Sequence, residues 1–268
     1  MKNSDFALMI NARNLIPLLS LLLLNACGAS KSESNTPEAP TLAPVTENYD
    51  LRILFIGNSH SASNGLRNIV AELIEQQQPQ LSVKTAIAPR YGYLAEHLDD
   101  TSTISLFESE PWTRVVLQAQ KYSQSKVVNY PTDAAEKWIL KTKNQGGTPV
   151  LFPEWGQLGR DWEGQYVFEL HQQIAQREPA CVAPIGPAWD TALMLRPELQ
   201  LHAVDGNHAS LAGSFLTALV IAETISRQSV DLLPHLATVD ISEQIQDFLG
   251  QVASQTMAES PECVLVTD

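Results

Sequence analysis

The sequence predicts an α/β domain in which a parallel β-sheet is covered by helices on both faces. Short apolar runs alternate with longer segments of helical spacing from about residue 49 onward. Alternation at this spacing is typical of parallel sheets, because each crossover helix packs back onto the sheet. No repeat or low-complexity block interrupts the pattern. About 220 residues remain for this body, enough for one domain with a sizeable core.

Five strands and six helices are predicted in this body. The predicted strands are Ile53–Ile56, Leu81–Ala88, Thr113–Gln118, Thr148–Phe152 and Cys181–Ile185. The predicted helices are Asn64–Gln78, Leu94–Asp100, Thr132–Asn144, Gly164–Arg177, Ser210–Arg227 and Ile241–Ala258, the last capped by Asp240 with Glu243. Five such strands suit a flavodoxin-like, three-layer α/β/α sandwich with strand order 2-1-3-4-5. Sites in these sheets lie at the carboxyl ends of the strands, beside the first strand.

A small polar turn follows the first predicted strand. It contains Gly57, Asn58, Ser59 and His60, and a segment of helical spacing comes next. A strand, a tight turn bearing a serine and then a helix can hold a nucleophile at the top of a parallel sheet. The alternative is that Ser59 only caps the following helix.

An Asp and a His stand three residues apart in a short segment before the long apolar helix. Asp205 and His208 are separated by a turn at Gly206. A serine hydroxyl needs a base within hydrogen-bond reach and a group that orients this base. One loop could supply both. The alternative is that Asp205 forms an Asx turn and His208 merely starts the helix.

Taken together, these two segments resemble the SGNH (GDSL-like) hydrolase superfamily. A Gly-x-Ser block ends the first strand, and an Asp-x-x-His block precedes the last helices. More narrowly, Gly57–His60 with Leu117–Gln120 resembles an atypical branch of exported bacterial proteins. The resemblance implies the SGNH hydrolase fold. It also implies that Ser59 is the nucleophile, His208 the base and Asp205 the orienting carboxylate.

The resemblance also implies an oxyanion hole. The backbone N–H groups of Ser59 and Gly92 match two of the family's donors. The third block is normally Gly-x-Asn-Asp, but Gln118-Ala-Gln120 stands at its position. Gln120 would therefore replace the asparagine amide, and Gln118 is a second candidate. Losing one donor costs about 3–4 kcal/mol of transition-state stabilisation, so a misplaced Gln120 would mean a slow enzyme or a non-catalytic relative.

Three further side chains are candidates for substrate contacts. His60 follows the nucleophile and is expected to line the pocket or to pack against the second loop. Trp155 lies in the loop after the fourth strand, where it could stack on a sugar or acyl group; loop packing is the alternative. Gln118 is the third. The side chain of His97 could face the opening of the same pocket or lie on the surface.

The expected function is ester hydrolysis by a Ser-His-Asp triad. Location suggests an acylated carbohydrate or small ester of the cell envelope as substrate. The alternative is a non-catalytic or weakly catalytic envelope lipoprotein of the same fold that binds a glycan or a partner protein. A phosphoester-acting enzyme is less favoured, because the chain has no Gly-rich phosphate loop. No cofactor is expected, and no Cys-x-x-Cys or His-Glu-x-x-His pattern indicates a metal site.

The first 48 residues predict export and anchoring. Lys2 and Arg13 precede an apolar run that ends before Cys27. This arrangement resembles the lipobox of bacterial lipoproteins, which implies a signal peptide at 1–26 and a lipidated Cys27. The segment that follows, to residue 48, is rich in Ser, Thr, Pro, Glu and Ala, and this composition predicts a disordered tether before the domain at 49–268. Gly28 then favours the outer membrane, facing the periplasm or the cell surface. The alternative is an ordinary secretory signal with an incidental cysteine.

Charge and cysteines add two expectations. The chain has a formal net charge of −13, so it should repel phosphate backbones and nucleic acid is not an expected partner. We expect a monomer. With Cys27 lipidated, Cys181 and Cys263 are left, and either a disulfide or two unpaired thiols fits the sequence.

Overall fold

The computed structural model describes residues 48–260 and residue 263 of the 268-residue chain. All of them belong to one compact unit. The predicted leader, the lipidated Cys27 and nearly all of the tether lie outside the described residues. Within this part of the chain, no helix is long and apolar enough to cross a membrane.

A five-stranded parallel sheet forms the centre of the domain. Its order is β2-β1-β3-β4-β5, which confirms the predicted flavodoxin-like topology. In register, Phe55 pairs with Ile87 on one side and with Val116 on the other, so β1 lies in the middle of three strands. The strands are β1 Leu51–Ile56, β2 Val83–Ile87, β3 Arg114–Gln118, β4 Thr148–Phe152 and β5 Cys181–Val182.

Helices connect the strands and continue beyond the last one. The described residues contain α1 Ser59–Ala62, α2 Leu66–Gln77, α3 Leu94–His97, α4 Thr101–Glu108, α5 Asp133–Asn144, α6 Glu163–Arg177, α7 Ile185–Leu195, α8 Leu211–Ser226 and α9 Glu243–Glu259. A 3₁₀ turn at Ser63–Gly65 joins α1 to α2.

The two faces of the sheet are covered by separate apolar clusters. Ile53 and Phe55 belong to one cluster, together with side chains of α2, α7, α8 and α9. Leu54 and Ile56 belong to the other, with side chains of α4 and α5. Adjacent residues of β1 therefore point to opposite layers, as the period of a strand requires. Nearly every residue of α8 is buried, which explains why this helix is apolar all around.

Some predicted boundaries were wrong. The first predicted helix does not begin at Asn64, because Asn64 (φ 52°) and Gly65 (φ 69°) adopt left-handed conformations that separate α1 from α2. The second predicted helix ends at His97, and α4, which follows, was not predicted. The last helix is preceded by Ser242 rather than by the predicted Asp240 cap, and no side chain caps it.

The fifth strand is also shorter than predicted. It ends at Val182, and the missed helix α7 begins at Ile185. The segment Ile185-Gly-Pro carries only a weak helical signal, because glycine and proline interrupt most helices. Here the proline lies in the first helical turn, where its missing N–H leaves no hydrogen bond unmade.

Cys181 and Cys263 form a disulfide. Their Cα atoms are 4.6 Å apart, and the two residues are separated by 82 positions in sequence. Of the two alternatives left open by the sequence, the structure has the paired one. The bond links β5 to the segment that follows α9.

Candidate active site

The turn after β1 places Ser59 at the carboxyl end of the sheet. Asn58 is the N-cap of α1, and its side-chain oxygen accepts the N–H of His60 at 2.9 Å. Ser59 is the first residue of this helix. Asn58 therefore caps α1, which was the alternative role for Ser59, and the Ser59 hydroxyl projects towards another loop.

That loop, which we call the base loop, precedes α8 and carries Asp205 and His208. The Oγ of Ser59 lies 2.8 Å from Nε2 of His208, although 149 positions separate the two residues. On the other side of the ring, Nδ1 of His208 lies 2.5 Å from Oδ2 of Asp205. The structure thus brings the three side chains into the Ser–His–Asp order that the sequence predicted.

Asp205 both orients the His208 ring and forms an Asx turn, the two roles that the sequence offered as alternatives. While Oδ2 contacts the His208 ring, Oδ1 accepts the N–H groups of Asn207 at 3.0 Å and His208 at 2.9 Å, which is an Asx turn. The hydrogen bond from His208, followed by those backbone N–H groups, holds the pKa of Asp205 well below its usual range. Asp205 therefore stays ionised, and the turn holds its carboxylate against the ring.

Asn64 connects the nucleophile segment to the base loop. Its side-chain amide donates to the carbonyl oxygens of Ala209 at 3.0 Å and Ser210 at 3.1 Å, and to Oγ of Ser214 at 2.8 Å. Sequence reasoning missed this residue. The available signal was the Asn-Gly pair at 64–65, which is typical of a turn with positive φ.

Trp155 supports the base loop from behind, so its predicted contact with substrate is wrong. Its ring is 3% exposed and stacks on Trp189 with centroids 4.3 Å apart. Its indole N–H donates to the carbonyl of Asn207 at 3.0 Å. Gln157 donates to the side-chain oxygen of the same Asn207 at 2.9 Å. Trp155 therefore packs among the loops, which is the alternative that the sequence left open for it.

His60 lines the cavity and also contacts the base. Its ring lies 4.9 Å from the His208 ring at an interplanar angle of 21°, and 5.0 Å from Trp155. The side-chain amide of Asn207 lies 3.3 Å from Nε2 of His60. Burial, with a smaller contribution from the charge on His208, lowers the pKa of His60 to about 4. His60 is therefore neutral beside the base at neutral pH.

A cavity of about 580 Å³ opens in front of Ser59 and His208. Most of its remaining wall comes from the loop after β3, including Tyr122 and Tyr130. The wall is mainly polar. Lys121 is the cavity's lysine and Glu154 its carboxylate.

Gln120 lines this cavity, but its amide is used elsewhere. The Nε2 group donates to the carbonyl oxygens of Lys121 at 2.9 Å and Pro131 at 3.0 Å. Both amide hydrogens are therefore committed to the ends of one loop. This corrects the prediction that Gln120 completes the oxyanion hole in place of the family's asparagine.

Gln118 does not face substrate either. It is fully buried, and its Oε1 accepts the N–H of Asn58 at 2.7 Å and the hydroxyl of Ser61 at 3.0 Å. Its Nε2 donates to the carboxylate of Glu154. The predicted role of Gln118 in substrate binding is wrong, because its amide oxygen already holds the turn that bears Ser59 and its amide nitrogen bonds to Glu154.

The two predicted backbone donors of the oxyanion hole differ. The N–H of Gly92 donates to the carbonyl of Gly57 at 3.4 Å, and Gly92 does not line the cavity. The N–H of Ser59, at the first position of α1, has no acceptor within the helix. Among the hydrogen bonds of residues 48–260, none starts from it. Ser59 alone of the three predicted donors has a free N–H in this arrangement.

His97 lies beneath the nucleophile turn. It is fully buried, with Nε2 3.0 Å from the carbonyl of Gly57 and Nδ1 3.1 Å from Oγ1 of Thr103. Neither the predicted pocket position nor the surface alternative was right. Burial lowers the pKa of His97, so it supports the turn as a neutral ring.

Sequence reasoning also missed Glu154. This partly buried carboxylate lines the cavity immediately after β4. Burial raises its pKa to about 7, and the nearby charge of Glu163 acts in the same direction, while hydrogen bonds from Gln118 and Asn58 oppose the shift. Its position at the carboxyl end of a strand was the available signal. No group of metal-ligating side chains occurs among the described residues.

The sequence matches no protein-family model and no curated protein. Solved structures do resemble the fold. A protein from Slackia heliotrinireducens, described provisionally as an SGNH hydrolase, is 28% identical with a TM-score of 0.51; the match covers 65% of this chain and 98% of that one. A DUF4886 family protein from Bacteroides uniformis is 15% identical with a TM-score of 0.62, over 78% of this chain and 95% of that one.

A third similar structure is a lipase/acylhydrolase from Enterococcus faecalis. It is 18% identical with a TM-score of 0.50, and the match covers 66% of this chain and 96% of that one. The identities are low, so these likenesses concern the fold and not the substrate. The described part of this chain, with its five-stranded parallel sheet, therefore has the fold of the SGNH hydrolases.

Proposed function

We propose that this protein is a serine ester hydrolase. The observation that carries the proposal is the chain of contacts from Ser59 Oγ to His208 Nε2 at 2.8 Å and from His208 Nδ1 to Asp205 Oδ2 at 2.5 Å. Nucleophile, base and orienting group are then in the geometry that serine hydrolases use. Ser59 and His208 face the cavity, where an ester carbonyl can reach Ser59.

The proposed reaction has two stages. His208 takes the proton from Ser59 as the oxygen attacks the ester carbonyl, and it then protonates the leaving alcohol. In the second stage, His208 removes a proton from water, which attacks the acyl-enzyme, and the acid is released with Ser59 restored. Asp205 keeps the His208 ring in the tautomer with hydrogen on Nδ1 and stabilises the imidazolium. No cofactor takes part.

Stabilisation of the oxyanion is the weakest part of the proposed mechanism. The N–H of Ser59 is the donor we assign to it, because Gly92 and Gln120 donate to backbone carbonyls. One missing donor costs about 10²–10³ in kcat in a well-studied serine protease. We therefore expect a slow hydrolase, unless substrate draws the N–H of Gly92 away from its long bond to Gly57.

The proposed substrate is a short acyl ester of a polar alcohol, such as an acetylated carbohydrate. The cavity wall in front of Ser59 carries hydroxyl, amide and charged side chains, including Ser123, Gln124 and Gln157. Polar groups suit sugar hydroxyls, whereas a long acyl chain would need an extended apolar wall. Tyr93, which is 43% exposed at the same cavity, offers ring surface to a sugar.

Covalent labelling tests the proposal directly. A fluorophosphonate should label the wild-type protein at Ser59, and Ser59→Ala should abolish both labelling and hydrolysis of p-nitrophenyl acetate without changing the unfolding curve. Ser125→Ala, which removes another hydroxyl from the cavity wall, is the matched control and should label normally. A protein that neither labels nor cleaves acetylated sugars or esters of graded length would favour the binding function instead.

We further propose export and lipid anchoring through Cys27 in a bacterial envelope. The support is the sequence alone: the basic start, the apolar run and the cysteine that follows it. Metabolic labelling with palmitate should reach the wild-type protein and not Cys27→Ser. Equal labelling of the two would contradict the anchor.

A further inference from the structure

We propose that Gln118 and Glu154 are a pair of positioning residues, in which the ionised carboxylate of Glu154 fixes the amide of Gln118, which holds the turn of Ser59. The inference rests on the proposed function, since positioning matters only if Ser59 reacts.

Gln118 holds the turn from below. Its Oε1 accepts from the N–H of Asn58 at 2.7 Å and from the hydroxyl of Ser61 at 3.0 Å, on either side of Ser59. A side-chain amide could turn over with almost no change of shape and present N–H to these donors instead. An ionised carboxylate only accepts hydrogen bonds, so the contact from Gln118 Nε2 to Glu154 excludes the turned-over amide.

Asn58 in turn caps α1, because its side-chain oxygen accepts the N–H of His60 at 2.9 Å. Glu154 therefore acts on the turn of Ser59 through the amide of Gln118. A shift of about 1 Å in a reacting group can cost about 10²-fold in rate, so the loss of this orientation should reach the chemistry at Ser59.

The charge of Glu154 depends on groups from several elements. Glu163, at the start of α6, disfavours the ionised form, although Glu163 itself pairs with Arg160 at 3.1 Å. His208 favours the ionised form from the base loop. Tyr122 and Lys121 face the same cavity from the loop after β3.

Burial has the largest effect, and it raises the pKa of Glu154 to about 7. Protonation would replace an acceptor site by an O–H and weaken the bond from the amide of Gln118. The turn should therefore be held best above neutral pH.

The test is the pH dependence of kcat/KM for p-nitrophenyl acetate in wild type and Glu154→Gln. In wild type, protonation of Glu154 around pH 7 should lower kcat/KM in addition to the acid loss of the general base, so the acid limb of the logarithmic plot should be steeper than a slope of 1 in this range. In Glu154→Gln the slope should fall to 1, and the plateau should drop about 10-fold or more. A residue that only supports the fold would not change the slope.

Glu178→Gln is the matched control. Glu178 is a half-buried carboxylate at the end of α6 that pairs with Lys143 at 2.6 Å. This variant should keep the wild-type slope and plateau. A Glu154→Gln enzyme that also keeps both would overturn the inference while leaving the proposed function intact.

A double-mutant cycle provides a measurement that does not depend on activity. If Gln118 and Glu154 act together, Gln118→Ala with Glu154→Gln should destabilise no more than Gln118→Ala alone in urea unfolding. Additive effects would overturn the pair. Should the wild type show neither hydrolysis nor labelling, the proposed function fails; positioning for catalysis is then overturned even if the cycle shows coupling.

Discussion

Gln118 occupies the space that a side chain on Gly57 would need. A Cβ atom at Gly57 would lie 2.9 Å from Cβ of Gln118 and closer still to its Oε1, and 2.6 Å from Oγ of Ser61. The end of β1 and the end of β3 thus interlock directly beneath Ser59. The glycine before the nucleophile is required by this close approach and not by an unusual backbone angle.

Gly57→Ala should impair both folding and catalysis. We expect a loss of about 1–3 kcal/mol in the free energy of unfolding from overpacking. A larger relative loss is expected in kcat/KM, because Gln118 must move away from the nucleophile turn. Urea unfolding and ester hydrolysis measure the two effects.

Gly92→Ala provides the comparison. Its added carbon would approach only Oε2 of Glu96, at 2.5 Å, which is the far end of a flexible side chain. This variant should stay close to wild type in stability and activity. Equal damage from the two substitutions would contradict the account of Gly57.

Gln120→Ala should act on substrate binding more than on chemistry. The amide joins Lys121 to Pro131 and so closes the loop that forms one cavity wall. We expect a raised KM and a fall in kcat of less than about 10-fold, whereas loss of an oxyanion donor typically lowers kcat by about 10²–10³. Michaelis parameters, with limited proteolysis of the loop, separate these outcomes. A several-hundred-fold fall in kcat at unchanged KM would return Gln120 to the oxyanion hole.

His171 should make the fold sensitive to mild acid. Its ring is 1% exposed in α6, with Nδ1 2.7 Å from the carbonyl of Val167, and burial lowers its pKa to about 4. Between the ordinary pKa of 6.5 and this value, the unfolded chain binds more protons than the folded one, so stability falls as pH falls. The cost should reach about 3 kcal/mol near pH 4. His171→Leu should lose less stability than wild type between pH 7.5 and pH 5 in urea unfolding.

His235 offers a control of opposite sign. It is largely exposed, and its hydrogen bond with Asp247 raises its pKa. Its stabilising contribution is present at acid pH and fades as pH rises through its folded pKa. His235→Asn should therefore steepen the acid loss that His171→Leu flattens. If the two variants change in the same direction, burial of His171 does not explain the acid sensitivity.

Much of this protein was predictable from local patterns. The five strands and most helices follow from apolar periodicity and turn residues, and Ser59, Asp205 and His208 lie where the sequence placed them. The strand order is the flavodoxin-like one that five such strands suit, but local patterns do not fix it. Helix α7 was not predicted, because it has a proline in its first turn. Gln120 and Trp155 were assigned wrongly, because residue type and sheet end do not tell which partner a side chain will choose.

By itself, the sequence determined the order of the elements and the residue types at the ends of β1 and of the loop before α8. Periodicity and turn chemistry are local properties, and a neighbourhood of a few residues is enough to read them. Only the tertiary structure decided that Cys181 pairs with Cys263, that Gln120 closes a loop and that Glu154 holds Gln118. These are contacts between segments distant in sequence, and whether a polar side chain faces substrate or another buried group depends on what the fold places beside it.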